Sequence, residues 1–247
     1  MEKKILIIGE SCRDVFVYCS ALRLCPDIPV PVLNVIDKTE NEGMAMNVFR
    51  NIKVIHSKCE IITNDNWPSI TKTRYVDLAS NHLFIRVDSD HSQISRIDLD
   101  KINKISPDYD LIAISDYNKG FLSEDDIAFI CKNHPNVFID SKKQIDSWAN
   151  DAKYIKINNF EYTRSLPTLT EWLKRKVIHT KGGDGCIFND KIFPVAPTEV
   201  RDSSGAGDTF FAALLVSYAR TENIEEAIQF ANQCASKVVK ERGVTTL

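Results

Sequence analysis

Short apolar runs that end in a polar residue recur along this chain. Residues 5–8 are Ile-Leu-Ile-Ile before Gly9, residues 111–114 are Leu-Ile-Ala-Ile before Ser115 and Asp116, and residues 137–139 are Val-Phe-Ile before Asp140. Residues 154–157 lead to Asn158, and residues 177–179 lead to Thr180. Runs of this kind predict strands buried on both faces of a sheet, and residues 58–62 predict one more. Helical patterns lie between them. Ser123 before Glu124-Asp125-Asp126 predicts a helix start with acids in its first turn. Residues 102–105 read as a helix end, and residues 41–52 as a glycine turn followed by a helix. Residues 209–216 read as the first turns of a buried helix, and residues 225–242 as a last helix stopped by Gly243. Strands alternating with helices predict an α/β fold with a mostly parallel sheet, its ligand crevice off the carboxyl ends of the strands.

A second texture interrupts this order. Residues 15–18, 30–36, 73–77 and 82–88 look extended, and Pro26, Pro29 and Pro31 forbid a helix between the first two. They predict a small β-sheet beside the main domain, its strands falling roughly at 15–37 and 72–88, of the kind that serves as a lid or a subunit contact.

The length of 247 residues suits one α/β domain. A net charge of −3 makes no electrostatic case for nucleic acid or an anionic membrane. Seven scattered cysteines without a C-x-x-C pair read as reduced thiols, which with the absence of a leader-like segment gives the expectation of a cytoplasmic protein.

The candidate chemistry centres on residues 201–209, Arg-Asp-Ser-Ser-Gly-Ala-Gly-Asp-Thr. Gly205 and Gly207 let backbone N–H groups crowd round a ligand, and a glycine turn that opens a helix offers free N–H groups to an anion. Asp208 at that mouth is placed to accept a proton from an attacking hydroxyl, so the stretch points to phosphoryl transfer. A capping aspartate on a plain strand-to-helix connection is the alternative. No G-x-x-x-x-G-K-[ST] and no H-R-D with D-F-G occurs, which excludes P-loop enzymes and protein kinases. Five of the nine glycines fall between 182 and 207, so a second glycine turn, 181–185, could flank the same nucleotide. Residues 186–193 read as a hairpin around Asn189-Asp190 that carries this loop. Asp14, after the first strand, is either a ligand to a polar substrate or a solvated loop acid.

The motifs together resemble a known family. Residues 202–208, Asp-Ser-Ser-Gly-Ala-Gly-Asp, resemble the D-T-x-G-A-G-D signature of the ribokinase-like (PfkB) sugar kinases. Residues 23–32 resemble the R-x-x-P-E-x-P-V-P-V segment of the heptose 7-phosphate kinases within it, residues 115–120 their S-D-Y-x-K-G, residues 140–142 their D-P-K, and residues 47–52 their N-V-A-x-N-I. The resemblance runs from about Lys3 to Thr246. It implies a three-layer ribokinase-like sandwich with a small β lid, ATP and Mg²⁺ as cofactors, and a sugar or sugar phosphate as acceptor. By the same resemblance Asp208 would be the base, and the N–H groups of Gly205, Ala206 and Gly207 the anion hole. Asn158 and Glu161 match the family's N-x-x-E, with Glu161 meeting the metal through water. Thr180, Gly182, Gly185 and Asn232 would line the nucleotide. Asp14, Gly43 and Asn47 match sugar-binding positions, while Arg74, Arg86 and Lys119 would contact a phosphate on the substrate or else be solvated charges. The lid is a candidate homodimer contact. A nucleotidyltransferase acting downstream is expected to be a separate enzyme.

Two departures stand out. The family's G-G turn is Gly43-Met44 here, which would push a side chain toward the sugar, and the G-x-D-x-x-G strand–helix unit expected after Ile62 is missing. A weakened sugar- or nucleotide-binding regulator is therefore an alternative, as is a kinase of the same superfamily acting on a nucleoside or another small alcohol. A dinucleotide oxidoreductase is disfavoured, because Gly9-Glu10-Ser11 does not continue into G-x-G-x-x-G.

Overall fold

β1 (Ile5–Ile8) is four residues long, and none of them has any exposed surface. Its alternate side chains feed two different cores. Ile5 and Ile7 pack in one cluster, and Leu6 and Ile8 in the other. A strand covered on both faces needs helices on both sides of the sheet, and the rest of the chain supplies them. The computed structural model describes residues 2–90, 93–241, 243 and 246–247.

In chain order, β2 (Ser11–Ser20) and β3 (Asn34–Met44) precede α1 (Ala45–Ile55), β4 (Cys59–Ile62), β5 (Thr71–Asp77) and β6 (Leu83–Asp88). Next come α2 (Leu99–Ile105), β7 (Leu111–Asp116), α3 (Glu124–Asn133), β8 (Val137–Ser141) and β9 (Tyr154–Asn158). Then follow α4 (Asn159–Ser165), α5 (Glu171–Lys174), β10 (Val177–Thr180), β11 (Cys186–Phe188) and β12 (Lys191–Phe193), and the description closes with α6 (Ala206–Thr221) and α7 (Ile224–Val238). Among the described residues the main sheet has the order β12-β11-β10-β9-β8-β7-β1-β4. Six of these strands, β10 to β4, run parallel, and the β11–β12 hairpin adds antiparallel strands at one edge. Asn189 and Asp190 turn that hairpin with positive φ, as the sequence pattern requires. Apolar residues of α1, α6 and α7 cover one face, and those of α2, α3 and α5 the other. This is the predicted three-layer α/β sandwich.

The second sheet is the lid, in the order β3-β2-β5-β6. Its strands are longer at the domain end than the apolar pattern indicated, since β2 starts at Ser11 and β3 continues to Met44. Arg13, Asp14, Asn41 and Glu42 break the apolar pattern, yet they pair in register, Arg13 with Glu42 and Asp14 with Asn41. At the other end, most of residues 30–36 stays out of the sheet until Asn34. β4 is an edge strand, and the chain passes from it through a single 3₁₀ turn, Trp67–Ser69, into the lid. The last helix ends at Val238 rather than continuing to Arg242, which lies outside the described residues.

The glycine turn expected at Gly43 is not where the chain turns. Gly43 sits in β3 opposite Cys12, where a Cβ would come within 3.0 Å of the Cys12 Sγ and 3.2 Å of the Asp14 Cβ. Its role is close approach of two strands. The turn is made by Met44, at φ 62° and ψ −132°, a conformation that costs a side-chain-bearing residue about 1–3 kcal/mol. The Met44 side chain does not intrude on the cleft. It is buried with Leu6, Ile8 and Cys12 in the core. Met44→Ala is expected to destabilise by about 2–5 kcal/mol through lost burial. Met44→Gly, which removes the strain as well, should be the more stable of the two variants by about 1 kcal/mol or more. Urea denaturation of both variants checks the order, which is the reverse of that at an ordinary site.

Candidate active site

The carboxyl ends of β7 to β10 carry polar residues because the chain must leave the buried sheet there and turn toward solvent. Asp116, Asp140, Asn158 and Thr180 occupy those ends. Opposite them α6 begins at Gly205, which caps the helix in the left-handed conformation at φ 78°. Between the strand ends and this helix start lies a cavity of about 550 Å³. Asn158, Thr180, Gly182 and Gly185 line it from the β9–β10 side, Gly205, Ala206, Gly207 and Asp208 from α6, and Asn232 from α7. The structure thus gathers nearly every residue predicted for nucleotide and catalysis.

Asp208 is 8% exposed, and both of its oxygens are held. The Tyr117 hydroxyl donates to Oδ1 at 2.6 Å, and the Asn47 amide donates to Oδ2 at 2.8 Å. Burial pushes its carboxyl up, the two hydrogen bonds pull it back, and the balance leaves it above the usual aspartate range. Burial and the adjacent Asp208 also push the Tyr117 phenol well up, so Tyr117 stays a donor.

Two lysines stand in the cavity floor. Lys156, in the middle of β9, is 3% exposed and pairs with Asp140 Oδ2 at 2.6 Å. Its Nζ would lie 3.2 Å from a Cβ at position 207, directly under the glycine loop. Lys142 pairs with Glu161 at 2.5 Å and lies 3.7 Å from Asp140 Oδ1. Burial works against the charge on Lys142, but Asp140 and Glu161 outweigh it and raise its pKa. The helix N-terminus and two ammonium groups thus converge where the phosphates of a nucleotide would lie.

Glu161 does not face the cavity directly. Asn158 and Glu161 form the reciprocal cap of α4: Asn158 Oδ1 accepts the Glu161 N–H at 2.9 Å, and Glu161 Oε2 accepts the Asn158 N–H at 2.8 Å. The N-x-x-E spacing is thus a capping box in its own right, and Lys142 and the Asn158 amide occupy Glu161 Oε1. Asn232 likewise has a structural bond, from its amide to the Phe193 carbonyl at 2.9 Å. Among the described residues no group of three or more His, Cys, Asp or Glu stands together as a metal cage. Mg²⁺ bound with a nucleotide keeps several waters and needs no such cage. Asp140 Oδ1, buried beside the cavity without a hydrogen-bond partner, is a hard oxygen donor of the type that ion takes.

The residues predicted for the acceptor lie on the lid side. Asp14 pairs with Arg74, whose guanidinium stacks 5.1 Å from the centre of the Phe16 ring. Arg86, directly across the strands from Arg74, pairs with Asp88 at 2.8 Å. Lys119 is half-buried, and its N–H donates to Glu10 at 2.6 Å. A second cavity of about 370 Å³ touches Asn47, but its arginines, Arg13 and Arg50, already pair with Glu40 and Glu42.

Besides Lys142, visible only as a letter of the D-P-K motif, four residues with a place in this site were not singled out from the sequence. Lys72 is 8% exposed on β5, its Nζ 5.0 Å from the Tyr117 ring centre. Lys156 was legible as a charge inside an apolar strand. Tyr117 was visible only as a letter of the S-D-Y-x-K-G motif. Glu10, fully buried, accepts the backbone N–H groups of both Tyr117 and Lys119, and nothing in its neighbours in sequence signals that.

An α/β sandwich with a β lid, closing on a glycine-led helix start beside a buried aspartate, defines a phosphotransferase of the ribokinase-like fold. Solved ribokinases share that fold: the protein from Thermotoga maritima aligns with TM-score 0.72 and 16% identity over 98% of this chain and 94% of its own. Ribokinase of Arabidopsis thaliana, complexed with ribose and ATP, aligns with TM-score 0.70 and 15% identity over 98% and 94%. Residues 45–247 match the pfkB family carbohydrate kinases, and the chain belongs to that family. The bifunctional protein HldE of Helicobacter pylori (strain J99) is 29% identical over 98% of this chain and 64% of its own length, so this chain spans less than two thirds of that relative. Among the described residues no helix is long and apolar enough to cross a membrane.

The buried pair in the floor generates a prediction. Lys156→Met leaves Asp140 short of its closest cation and should cost about 3–5 kcal/mol of stability. Much of that should return in the double variant Lys156→Met/Asp140→Asn. Chemical denaturation of the wild type, both single variants and the double variant measures the coupling.

Proposed function

We propose that this carbohydrate kinase transfers the γ-phosphate of ATP to a hydroxyl of a sugar phosphate, most closely a heptose 7-phosphate. The observation that carries the finer reading is the charge of the lid. Lys72, Arg74 and Arg86 of the lid and Lys119 of the segment after β7 form one electrostatic neighbourhood, with Asp14, Asp88 and Asp202 as carboxylates set against it. Arg74 and Arg86 face each other directly across β5 and β6, an arrangement of like charges that Asp14 and Asp88 offset one by one and that a bound anion would bridge. Burial lowers the pKa of both Lys72 and Arg74, so a bound phosphate dianion would relieve a standing cost. The resemblance of residues 23–32 to the heptose 7-phosphate kinases agrees with this acceptor class.

In the proposed reaction Asp208 takes the proton of the acceptor hydroxyl as that oxygen bonds the γ-phosphorus. The bond from the γ-phosphorus to the bridging oxygen breaks, and ADP leaves with its electron pair. The N–H groups of Gly205, Ala206 and Gly207 hold the charge that develops on the transferred group, aided by Lys142 and Lys156. Asn158, Thr180, Gly182, Gly185 and Asn232 line the nucleotide. Asp14 and Asn47 orient the sugar, and Gly43, by letting β2 and β3 approach, sets where Asp14 stands. Mg²⁺ would neutralise phosphate charge, with Glu161 meeting it through water.

The same reading assigns the chain one kinase domain over residues 1–247, a reducing cytoplasmic setting that suits its seven free thiols, and a nucleotidyltransferase as the class of enzyme that acts on its product. The exposed lid residues Val35, Ile36, Ile85 and Val87 are the proposed contact of a homodimer.

Two measurements test the proposal. ADP release with ATP and Mg²⁺ is followed against heptose 7-phosphates, fructose phosphates, ribose, adenosine and no acceptor. Turnover should be highest with a heptose 7-phosphate and should fall about 10²–10⁴-fold in Asp208→Asn, with ATP binding retained. Activity on an unphosphorylated sugar or a nucleoside alone would overturn the acceptor assignment, and full activity of the variant would overturn the base. In the second, Glu161→Gln, which keeps the capping geometry, should raise the Mg²⁺ concentration needed for half-maximal rate. An unchanged titration removes Glu161 from the metal's surroundings.

A further inference from the structure

Tyr117 stands where the two halves of the cleft meet. It lines the cavity, its hydroxyl reaches Asp208 at 2.6 Å, and two ammonium groups lie over its ring. Lys72 approaches from the lid, 5.0 Å from the ring centre, and Lys142 from the phosphate side, 5.5 Å away. Such cation–π contacts hold a ring most strongly where water is excluded. The backbone of this segment is pinned as well. Glu10 accepts the N–H of Tyr117 at 3.0 Å and that of Lys119 at 2.6 Å, while Asn118 takes a positive φ of 56° and donates its N–H to Asp116. A surface loop would not need a fully buried glutamate to hold two consecutive turns of its backbone. This one is built to present the tyrosine.

We propose that Tyr117 is a positioning residue for the transfer step: its O–H fixes the Asp208 carboxylate in orientation, and its ring docks the lid's Lys72 at the same point. The inference rests on the kinase reading above and adds to it a residue outside the glycine signature. A carboxylate oxygen has two lone-pair directions, so Oδ1 can accept from Tyr117 and still meet the acceptor hydroxyl. Asn47 fixes the second oxygen, and together the two donors leave the carboxylate one rotamer. The groups that face Asp208 come from each surrounding element. They are Asn47 of α1, Cys12 of β2, Asp140 of β8, Lys156 of β9, and Lys142 and Tyr117 of the connecting segments. Of these, Tyr117 and Asn47 donate hydrogen bonds to the carboxylate, and Tyr117 makes the larger contribution to keeping its charge against burial.

Tyr117→Phe tests this, because the ring and its two lysine contacts survive while the O–H is lost. Loss of a hydrogen bond to a charged group predicts a kcat lower by about tenfold to a hundredfold, an unchanged KM for ATP and a nearly unchanged melting temperature. The acid limb of the kcat/KM pH profile should move to higher pH, since Asp208 is active deprotonated and would now protonate more readily. Tyr117→Leu should in addition raise the KM of the sugar phosphate, because Lys72 loses its platform. A readout that needs no acceptor accompanies these. In ¹³C NMR of carboxyl-labelled protein, the Asp208 signal, identified by its absence in Asp208→Asn, should titrate at higher pH in Tyr117→Phe than in the wild type. An unmoved acid limb and an unmoved Asp208 titration overturn the proposal. If the wild type phosphorylates nothing in the panel, the acceptor reading fails by itself, and the NMR titration still decides the role of Tyr117.

Discussion

The cleft depends on carboxylates held out of water. Asp116, Asp140, Glu161, Asp208 and Glu10 are all buried, and each buried charge costs several kcal/mol unless it is paired. Each has partners drawn from a different part of the chain. Lys143 binds Asp116, Lys156 and Lys142 share Asp140, and Lys142 also reaches Glu161. Tyr117 and Asn47 hold Asp208, and two backbone N–H groups hold Glu10. The strand ends are therefore tied to one another through side chains as well as through the sheet. The ammonium groups of Lys142, Lys143 and Lys156 are thereby already oriented, and a field in low dielectric is stronger than one in water.

The lid repeats the principle with the opposite balance. On the lid Lys72, Arg74 and Arg86 stand with Asp14 and Asp88, and burial lowers the pKa of Lys72 and Arg74. Nothing in the fold of a four-stranded sheet asks for Arg74 opposite Arg86. Each arginine has a carboxylate of its own, Asp14 for Arg74 and Asp88 for Arg86. Lys72 connects this face to the main domain through the Tyr117 ring, whose hydroxyl holds Asp208.

Much of the architecture was legible because local patterns and tertiary environment agree. The runs at 5–8, 111–114, 137–139, 154–157 and 177–179 are strands, since a segment apolar on both faces has no stable place except inside a sheet covered on both sides. The helix start at Ser123 and the hairpin turn at Asn189-Asp190 formed as their chemistry requires. The lid's extent did not show, because Arg13, Asp14, Asn41 and Glu42 pair as strand residues while reading as loop. Gly43-Met44 misled for a related reason. Glycine there answers the approach of a neighbouring strand, and the methionine bears the strained conformation because its side chain fills the core.

The sequence by itself determined the alternation of strands and helices, the glycine-led start of α6 with Asp208 behind it, and the family, because each is a matter of local spacing along the chain. Only the tertiary structure decided which polar groups face one another. Tyr117 and Asp208 are 91 positions apart, Asn47 and Asp208 are 161 apart, and Glu10 lies more than a hundred positions from the backbone it holds. A hydrogen bond acts over about 3 Å of space and carries no mark of sequence separation. Partners of this kind exist only once the sheet has brought its strand ends to one edge and the helices have packed beside them.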